Sequence, residues 1–139
     1  MREEVTDRPD PADAQAIVDH LMEYNFGRVG HRYAYTPLGV TIRDDDGTLL
    51  GGITGETGNG WLYVDCLWVA EAARGRDLGT RLMDLAEAEG RRRGCHSAYL
   101  YTYSFQARPF YEKRGYAVAA TLPDFPTGHQ RHYLTKRLG

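Results

Sequence analysis

The sequence predicts an α+β fold, a mixed and mostly antiparallel sheet with one parallel strand–helix–strand crossover. Three apolar segments follow one another with short turns between them, which is typical of an antiparallel meander. After the third segment, Trp61 to Val69, the apolar residues change to helical spacing and then return to a strand pattern at His96 to Thr102. Two strands joined through a helix of this length require a parallel crossover.

The N-terminal region is predicted to contain a short strand and a helix. Glu3 to Asp7 is assigned to the strand. Asp10 is placed to cap a helix whose first residue is Pro11, and apolar residues recur at helical spacing to about Tyr24. The segment from Asn25 to Tyr35 fits no single element, because its glycines interrupt a long helix.

The meander consists of three predicted strands and two tight turns. The first strand is Leu38 to Arg43, and the Asp/Gly-rich turn at Asp44 to Gly47 joins it to the second, Leu49 to Thr57. A second turn, Gly58 to Gly60, leads into the third strand.

The second half begins with a helix from Leu78 to about Arg93, which Gly94 is placed to end. Arg91, Arg92 and Arg93 suit the negative end of the helix dipole, which explains them more simply than a nucleic-acid surface does. The remaining elements are a strand from His96 to Thr102, a helix from Gln106 to Arg114, and two strands from Tyr116 to Leu122 and His132 to Arg137.

Length and composition indicate one globular domain spanning residues 1–139, with 42% hydrophobic and 26% charged residues. The formal net charge of -2 predicts no nucleic-acid partner, and no apolar run is long enough to span a membrane. Cys66 and Cys95 are expected to be buried, reduced thiols, which fits a cytoplasmic location. The scattered histidines give no metal-binding spacing, so no metal is expected.

The most informative segment is the connection from Arg74 to Thr80, between the third strand and the central helix. A Gly-containing turn that opens a helix leaves backbone N–H groups unpaired, and these suit a phosphate group. Arg74 and Arg76 add positive charge at the same place. Neither of the two common nucleotide-binding glycine motifs is present, so the local chemistry indicates an anion without naming it.

This segment resembles the acyl-CoA-binding motif of the GNAT acetyltransferases, Arg/Gln-x-x-Gly-x-Gly/Ala. Arg74 fills the first position and Gly79 the last, while Asp77 replaces the middle glycine. Asp tolerates left-handed backbone angles and is a good helix N-cap, but its charge repels a pyrophosphate. We therefore expect Asp77 to weaken CoA binding mildly.

A second segment resembles the other GNAT hallmark, Asn-x-x-Ala-x-x-x-Tyr-x-x-x-Gly-Phe/Tyr. Ala107, Tyr111, Gly115 and Tyr116 match it, and Ser104 stands where Asn is usual. A Ser hydroxyl can still donate a hydrogen bond to the cofactor arm, over a shorter reach. The order of predicted elements is also that of the GNAT fold, so the resemblance covers nearly the whole chain.

The resemblance implies that acetyl-CoA is the acyl donor. Loop amides would hold its pyrophosphate, and the end of the third strand would pair with its pantetheine arm. The residues implied in cofactor binding are Leu67, Trp68, Val69, Arg74, Gly75, Arg76, Asp77, Leu78, Gly79, Thr80 and Ser104.

The resemblance also implies the catalytic groups. Tyr111 would donate a proton to the leaving sulfur, because a phenol is protonated at neutral pH. Asp65 is a candidate general base, with an ion pair at the edge of the core as the alternative role, and Glu56 is a second candidate base. Strand alternation places Cys66 with Val64 and Trp68 in the core, which argues against a covalent acyl-cysteine.

The resemblance further implies that the acceptor site is formed by Tyr24 to Tyr35 and Phe125 to His132, and the mixture of aromatic and polar residues in these segments suits a small amphipathic amine. The predicted function is transfer of an acetyl group from acetyl-CoA to a primary amine of a small molecule or peptide, in a ternary complex. The alternatives are a non-catalytic acyl-CoA-binding sensor or scaffold and a general nucleotide-phosphate binder. A homodimer is a further expectation, since dimers are frequent among such relatives.

Overall fold

The computed structural model describes residues 1–31 and 34–139. Its contacts divide the chain into two units, Met1–Ala34 and Tyr35–Gly139. In the first unit, helix α1 spans Pro11–Val29, and the backbone N–H of Ala12 donates to Asp10 Oδ1 at 2.7 Å, as the predicted cap requires.

Two predictions for the first unit are wrong. Residues Glu3 to Asp7 form no strand, and every residue there is exposed. Val5 is the sole apolar side chain among these charged residues, so a strand would have no face to bury. Helix α1 also continues past Tyr24 and Gly27, because an interior glycine only weakens a helix. It ends at Gly30, whose φ is +87°.

The second unit contains a six-stranded sheet with the order β1-β2-β3-β4-β6-β5. The β3–β4 pair is parallel and each of the other neighbouring pairs is antiparallel, so the predicted fold class and crossover are confirmed. The elements are β1 (Thr36–Arg43), β2 (Leu49–Gly58), β3 (Trp61–Val69), α2 (Leu78–Arg92), β4 (Ser97–Tyr103), α3 (Arg108–Lys113), β5 (Ala117–Pro123) and β6 (Gln130–Arg137), with a 3₁₀ turn at Glu71–Ala73.

Helix α2 covers one face of the sheet and forms the core with it. The helix contributes Leu82, Met83 and Ala86, which are fully buried. The sheet contributes aliphatic side chains that alternate along its central strands, among them Leu62, Val64, Ala98, Leu100 and Leu134. Residues between these positions point to the other face, where tyrosines predominate.

A β-bulge interrupts this alternation in β3. Thr54 of β2 is paired with Cys66, but the next residue, Gly55, is paired with Val64, so Asp65 has no partner in β2. The extra residue reverses the alternation: Leu67 packs against the core, whereas Asp65 and Cys66 are exposed. The prediction of a buried Cys66 is therefore wrong, while Cys95 is buried as expected.

Gly55 lies opposite the bulge and allows the two strands to approach there. A Cβ atom added at Gly55 would lie 2.1 Å from the carbonyl oxygen of Tyr63. No real side chain fits at that distance, and the obstacle is backbone that cannot rotate away. The bulge in β3 thus depends on a glycine in β2.

A buried carboxylate fixes the position of α3 against the central helix. Glu87 of α2 is 2% exposed and accepts hydrogen bonds from Lys136 at 2.5 Å, Arg114 at 2.9 Å and the Tyr116 hydroxyl at 3.3 Å. Burial, followed by the charge of Glu87, raises the pKa of Tyr116 far above its ordinary value. Two cations and a phenol therefore compensate for the cost of burying this charge.

The arginines at the end of α2 have structural partners. Arg93 donates to the carbonyl oxygens of Thr36 and Pro37 and to the Thr57 hydroxyl, at 3.1 to 3.2 Å. The Nε of Arg91 donates to the carbonyl oxygen of Leu138 at 2.6 Å. The basic run thus connects the helix to the sheet.

Replacing Gly55 with alanine should destabilise the protein by about 1–3 kcal/mol, because the strands must separate to admit the methyl group. Gly39→Ala in β1 is the matched control, since a Cβ there meets nothing within 4 Å, and its effect should stay within about 0.5 kcal/mol. Urea denaturation measures both. Equal unfolding midpoints for the two variants would show that the bulge tolerates a side chain at this position.

Candidate active site

The candidate site begins where β3 and β4 separate. Their pairing covers only Trp61 to Val64 of β3 and Ser97 to Leu100 of β4. Beyond the bulge, the edge of β3 that faces β4 has no paired strand. Its backbone N–H and C=O groups from Asp65 onward are therefore available to a ligand on that side.

The gap between the diverging strands, here called the strand cleft, has a volume of about 470 Å³. One wall is the bulged segment of β3, and the other is formed by the end of β4 and by α3. Its lining residues are Asp65, Cys66, Leu67, Tyr101, Thr102, Tyr103, Gln106, Ala107, Phe110 and Tyr111.

Tyr111 projects from α3 into the strand cleft and is 9% exposed. Its ring makes edge contacts with Phe110 and Tyr116. Within residues 1–31 and 34–139, its hydroxyl has no hydrogen-bond partner. Burial raises the pKa of this phenol, so it keeps its proton throughout the neutral range.

Asp65 lies on the opposite wall, on the bulge itself. The Tyr63 hydroxyl donates a hydrogen bond to its Oδ1 at 3.3 Å. Burial, with the charge of Asp65 as the next cause, raises the pKa of Tyr63 far above its ordinary value. The phenol therefore stays a donor and fixes the orientation of an otherwise exposed carboxylate.

A second pocket, here called the loop pocket, lies at the start of α2 and has a volume of about 250 Å³. Asp77 is the N-cap residue of α2 and has a left-handed φ of +57°, so both its N-cap position and its Gly-like backbone are as predicted, but its side chain makes no cap hydrogen bond. The N–H groups of the first helical turn have no intrahelical acceptor. The lining residues are Val69, Ala73, Arg74, Gly75, Asp77, Leu78, Gly79, Thr80 and Phe110.

The strand cleft and the loop pocket meet at Phe110, which lines both. Leu67 faces the first and Val69 the second, so the end of β3 runs past both openings. The two openings are therefore adjacent, with the start of α2 at one and the Tyr111 phenol at the other.

The structure brings together most of the predicted site residues but not all. Trp68, Arg76 and Ser104 line neither opening. Trp68 is 51% exposed, and Arg76 is exposed. The Ser104 hydroxyl accepts a hydrogen bond from the backbone N–H of Gln130 at 3.0 Å, which ties it to the start of β6.

Sequence reasoning gave no site role to Thr102, Gln106 and Phe110, which line the strand cleft. Gln106 accepts hydrogen bonds from the Tyr103 backbone N–H at 3.0 Å and from the Thr102 hydroxyl at 3.2 Å, which turns the chain from β4 toward α3. Phe110 precedes the motif tyrosine directly, but no sequence signal distinguishes it from a core aromatic residue.

The two predicted acceptor segments are described only in part, because Arg32 and Tyr33 lie outside the described residues. In the second segment, the Arg131 guanidinium lies 3.6 Å from the ring centre of Phe125 and 4.1 Å from that of Tyr101. It donates to the Tyr103 hydroxyl at 2.5 Å and to the Tyr133 hydroxyl at 3.3 Å. Aromatic rings hold this cation in place.

No three or more His, Cys, Asp or Glu side chains in the described part of the chain are arranged to hold a metal ion. None of the described helices combines the length and apolar character needed to cross a membrane.

Comparison with known proteins identifies the family. The model of the acetyltransferase (GNAT) family matches residues 6–116. The acetyltransferase Atu2258 of Agrobacterium fabrum is 40% identical over 131 residues, covering 92% of this chain and 95% of that protein. The blasticidin-S acetyltransferase of Streptomyces morookaense is 46% identical over 93 residues, covering 66% of this chain and 68% of that protein.

A solved structure supports the same family assignment. The crystal structure of an acetyltransferase from Agrobacterium tumefaciens superposes with a TM-score of 0.88 at 38% identity, covering 99% of both chains. The chain belongs to the GNAT acetyltransferase family, has the GNAT fold and is an acyltransferase enzyme. The non-catalytic and general nucleotide-binding alternatives are therefore set aside.

Proposed function

We propose that this enzyme transfers the acetyl group of acetyl-CoA to a primary amine of a small molecule or peptide, by direct attack in a ternary complex. The supporting observation is the strand cleft, which is lined by Asp65 on the bulge of β3 and by Tyr111 of α3. The loop pocket continues that gap toward the start of α2.

In this proposal the loop pocket holds the pyrophosphate of the cofactor. The unpaired N–H groups of Leu78, Gly79 and Thr80 point out of the helix start, where the helix dipole adds positive potential. Arg74 is exposed beside them and can pair with a phosphate oxygen. Asp77 is close enough to repel the same group, and no ion pair to its carboxylate is found in the described part of the chain.

The pantetheine arm would follow β3 from Val69 to Leu67. The β4-facing backbone groups there are unpaired because the pairing of β3 with β4 ends at Val64. Pairing with this edge would place the thioester in the strand cleft, between Asp65 and Tyr111. A backbone N–H of the same segment would polarise the carbonyl oxygen as it becomes tetrahedral.

The chemistry then needs two proton movements. The amine nitrogen bonds to the carbonyl carbon and loses a proton to Asp65, directly or through water, and the carbon–sulfur bond breaks as Tyr111 gives its proton to the leaving sulfur. Glu56 is the weaker candidate base, because it lines another pocket and not the strand cleft.

A covalent acyl-cysteine is not part of this mechanism. Cys66 does line the strand cleft, contrary to its predicted burial, but no group hydrogen-bonded to its sulfur within the described residues could activate it. A Cys66→Ala enzyme that folds normally and is inactive would contradict direct transfer.

The acceptor is proposed to be a small amphipathic amine. One relative, the blasticidin-S acetyltransferase, is named for blasticidin S, which supports an acceptor of this kind. The aromatic residues around Arg131 are consistent with an acceptor that combines apolar surface with polar groups. A panel of small amines assayed with acetyl-CoA tests this class directly.

Isothermal titration with acetyl-CoA tests the loop pocket. Arg74→Ala should weaken binding about five- to tenfold, because one charge-assisted contact is lost. Asp77→Gly should strengthen binding about threefold by removing a repulsive charge and relieving the left-handed backbone. Arg92→Ala, at the far end of α2, is the control. Looser binding by Asp77→Gly would overturn the role given to Asp77, and no binding by the wild type would remove the whole proposal.

Removal of the Tyr111 hydroxyl tests the proton donor. Tyr111→Phe should lower kcat about 100-fold and leave the KM for acetyl-CoA nearly unchanged, because only the transition state uses that proton. Tyr116→Phe is the control, since Tyr116 is a neighbouring buried phenol outside the strand cleft. Steady-state kinetics with a fixed amine measure both. A loss of kcat that is equal in the two variants would assign Tyr111 a packing role.

The pH dependence of kcat/KM tests the base. In the wild type, activity should fall on the acidic side as the base gains a proton, and Asp65→Asn should lower the plateau and abolish that limb. Asp45→Asn removes an exposed carboxylate from the β1–β2 turn and should leave the profile unchanged. If Asp65→Asn keeps the profile of the wild type, Asp65 is not the base.

A further inference from the structure

The sheet of the second unit has a third opening that the proposed acetyl transfer does not use. This opening, here called the tyrosine pocket, has a volume of about 360 Å³. It lies on the face opposite α2, beside the paired halves of β3 and β4. Its lining residues are Tyr35, Glu56, Gly58, Asn59, Trp61, Tyr63, Tyr99, Tyr133 and Thr135.

Aromatic rings form the wall of the tyrosine pocket. The ring centres of Tyr63 and Tyr99 are 4.8 Å apart with their planes tilted by 30°, and Trp61 meets Tyr99 edge-on at 5.8 Å. These rings are only half-buried, so they expose aromatic surface to an occupant. Aromatic faces carry negative electrostatic potential and attract cations.

Glu56 is the acidic residue of the tyrosine pocket. It is directly opposite Tyr63 in the β2–β3 pairing and is half-buried. No hydrogen bond or ion pair to its carboxylate is found among residues 1–31 and 34–139. Its charge, after burial and Tyr35, contributes to the raised pKa of Tyr99. A carboxylate held without a partner among aromatic rings is a binding group for a positive charge.

Tyr63 connects this pocket to the candidate base. Its ring lines the tyrosine pocket, and its hydroxyl donates to Asp65 in the strand cleft. Glu56 is one strand away from Tyr63, and Asp65 is two residues along β3. These spacings put Glu56 and Asp65 on the order of 8 Å apart at their Cα atoms.

We propose that the tyrosine pocket binds an organic cation, an ammonium or guanidinium group, and that this group is a second positive charge on the acceptor. The reacting amine would lie at Asp65 while the second cation is held by Glu56 and the surrounding rings. The link to the acceptor rests on the proposed function, whereas cation binding in the pocket does not. The preferred acceptors are then dications rather than simple amines.

A matched pair of acceptors tests the proposal. In 1,5-diaminopentane the group distal to the reacting amine is a cation, and in 5-aminopentan-1-ol it is a neutral hydroxyl of similar size. The wild type should prefer the diamine in kcat/KM by about tenfold, mainly through KM. Glu56→Gln should remove that preference, bringing kcat/KM for the diamine down to the value of the amino alcohol. Asp45→Asn, which removes one exposed negative charge from the β1–β2 turn, should keep it.

The aromatic contribution has its own test. Tyr99→Leu should reduce the diamine preference about threefold, and Tyr99→Phe should preserve it, because a cation interacts with the ring and not with the hydroxyl. The proposal would be overturned if Glu56→Gln lowered kcat/KM equally for both acceptors, or if it kept the full preference for the diamine.

Binding of tetramethylammonium, which cannot be acetylated, separates the pocket from the reaction. NMR titration should show binding to the wild type that Glu56→Gln weakens about fivefold. If no amine is acetylated but this binding is found, the proposed function fails and the cation pocket stands. If amines are acetylated but tetramethylammonium binding is absent or independent of Glu56, the pocket proposal is overturned and the proposed function stands.

Discussion

The single extra residue in β3 is the constraint on which the rest of the site depends. Up to Val64 the strand is paired on both sides and its even-numbered residues enter the core. The bulge at Asp65 shifts the alternation, so that Leu67 and Val69 complete the core and Asp65 and Cys66 face outward. Beyond the bulge β3 is no longer paired with β4, and the gap between them is the strand cleft. The β3–β4 pairing ends there, and the backbone edge of β3 that it leaves exposed is a surface on which a cofactor can be held.

Sequence signals that lie within a single segment predicted the helices and strands of the second unit well. The bounds of β3 follow from a continuous apolar run between two breaks, and the crossover follows from a change of hydrophobic period. The bulge was not predictable in the same way, because it is a property of two strands: Gly55 in β2 supplies the space and Asp65 in β3 supplies the extra residue. The prediction of a buried Cys66 was wrong because of this bulge, since strict alternation is the only rule that the sequence of a single strand offers. The N-terminal prediction was wrong for another reason: a charged segment with one apolar residue has nothing to bury.

The residues of the candidate site also differ in whether local sequence signals could predict them. Residues that act through local geometry, such as the loop from Arg74 to Thr80, were found from their types and spacing. Residues that reach the site through topology were missed: Phe110 joins two openings only because α3 packs beside the start of α2. Its helix is held there through Arg114 and the buried carboxylate of Glu87, two positions that carry no sequence motif at all. Packing distributed over several elements is therefore the part of the site that a linear pattern does not encode.

The two faces of the sheet have different chemistry because alternating residues of the same strands supply them. Leu62, Ala98 and Leu134 form a dry layer under α2, while Tyr63, Tyr99 and Tyr133 form an open layer with hydroxyl groups. Tyr63 belongs to the open layer and also hydrogen-bonds Asp65. Since burial and the Asp65 charge raise its pKa, Tyr63 keeps its proton near neutral pH and stays a hydrogen-bond donor to Asp65. Tyr63 connects the tyrosine pocket to the strand cleft through its position. A group bound beside Tyr63 lies at a fixed distance from Asp65, because both residues belong to β3.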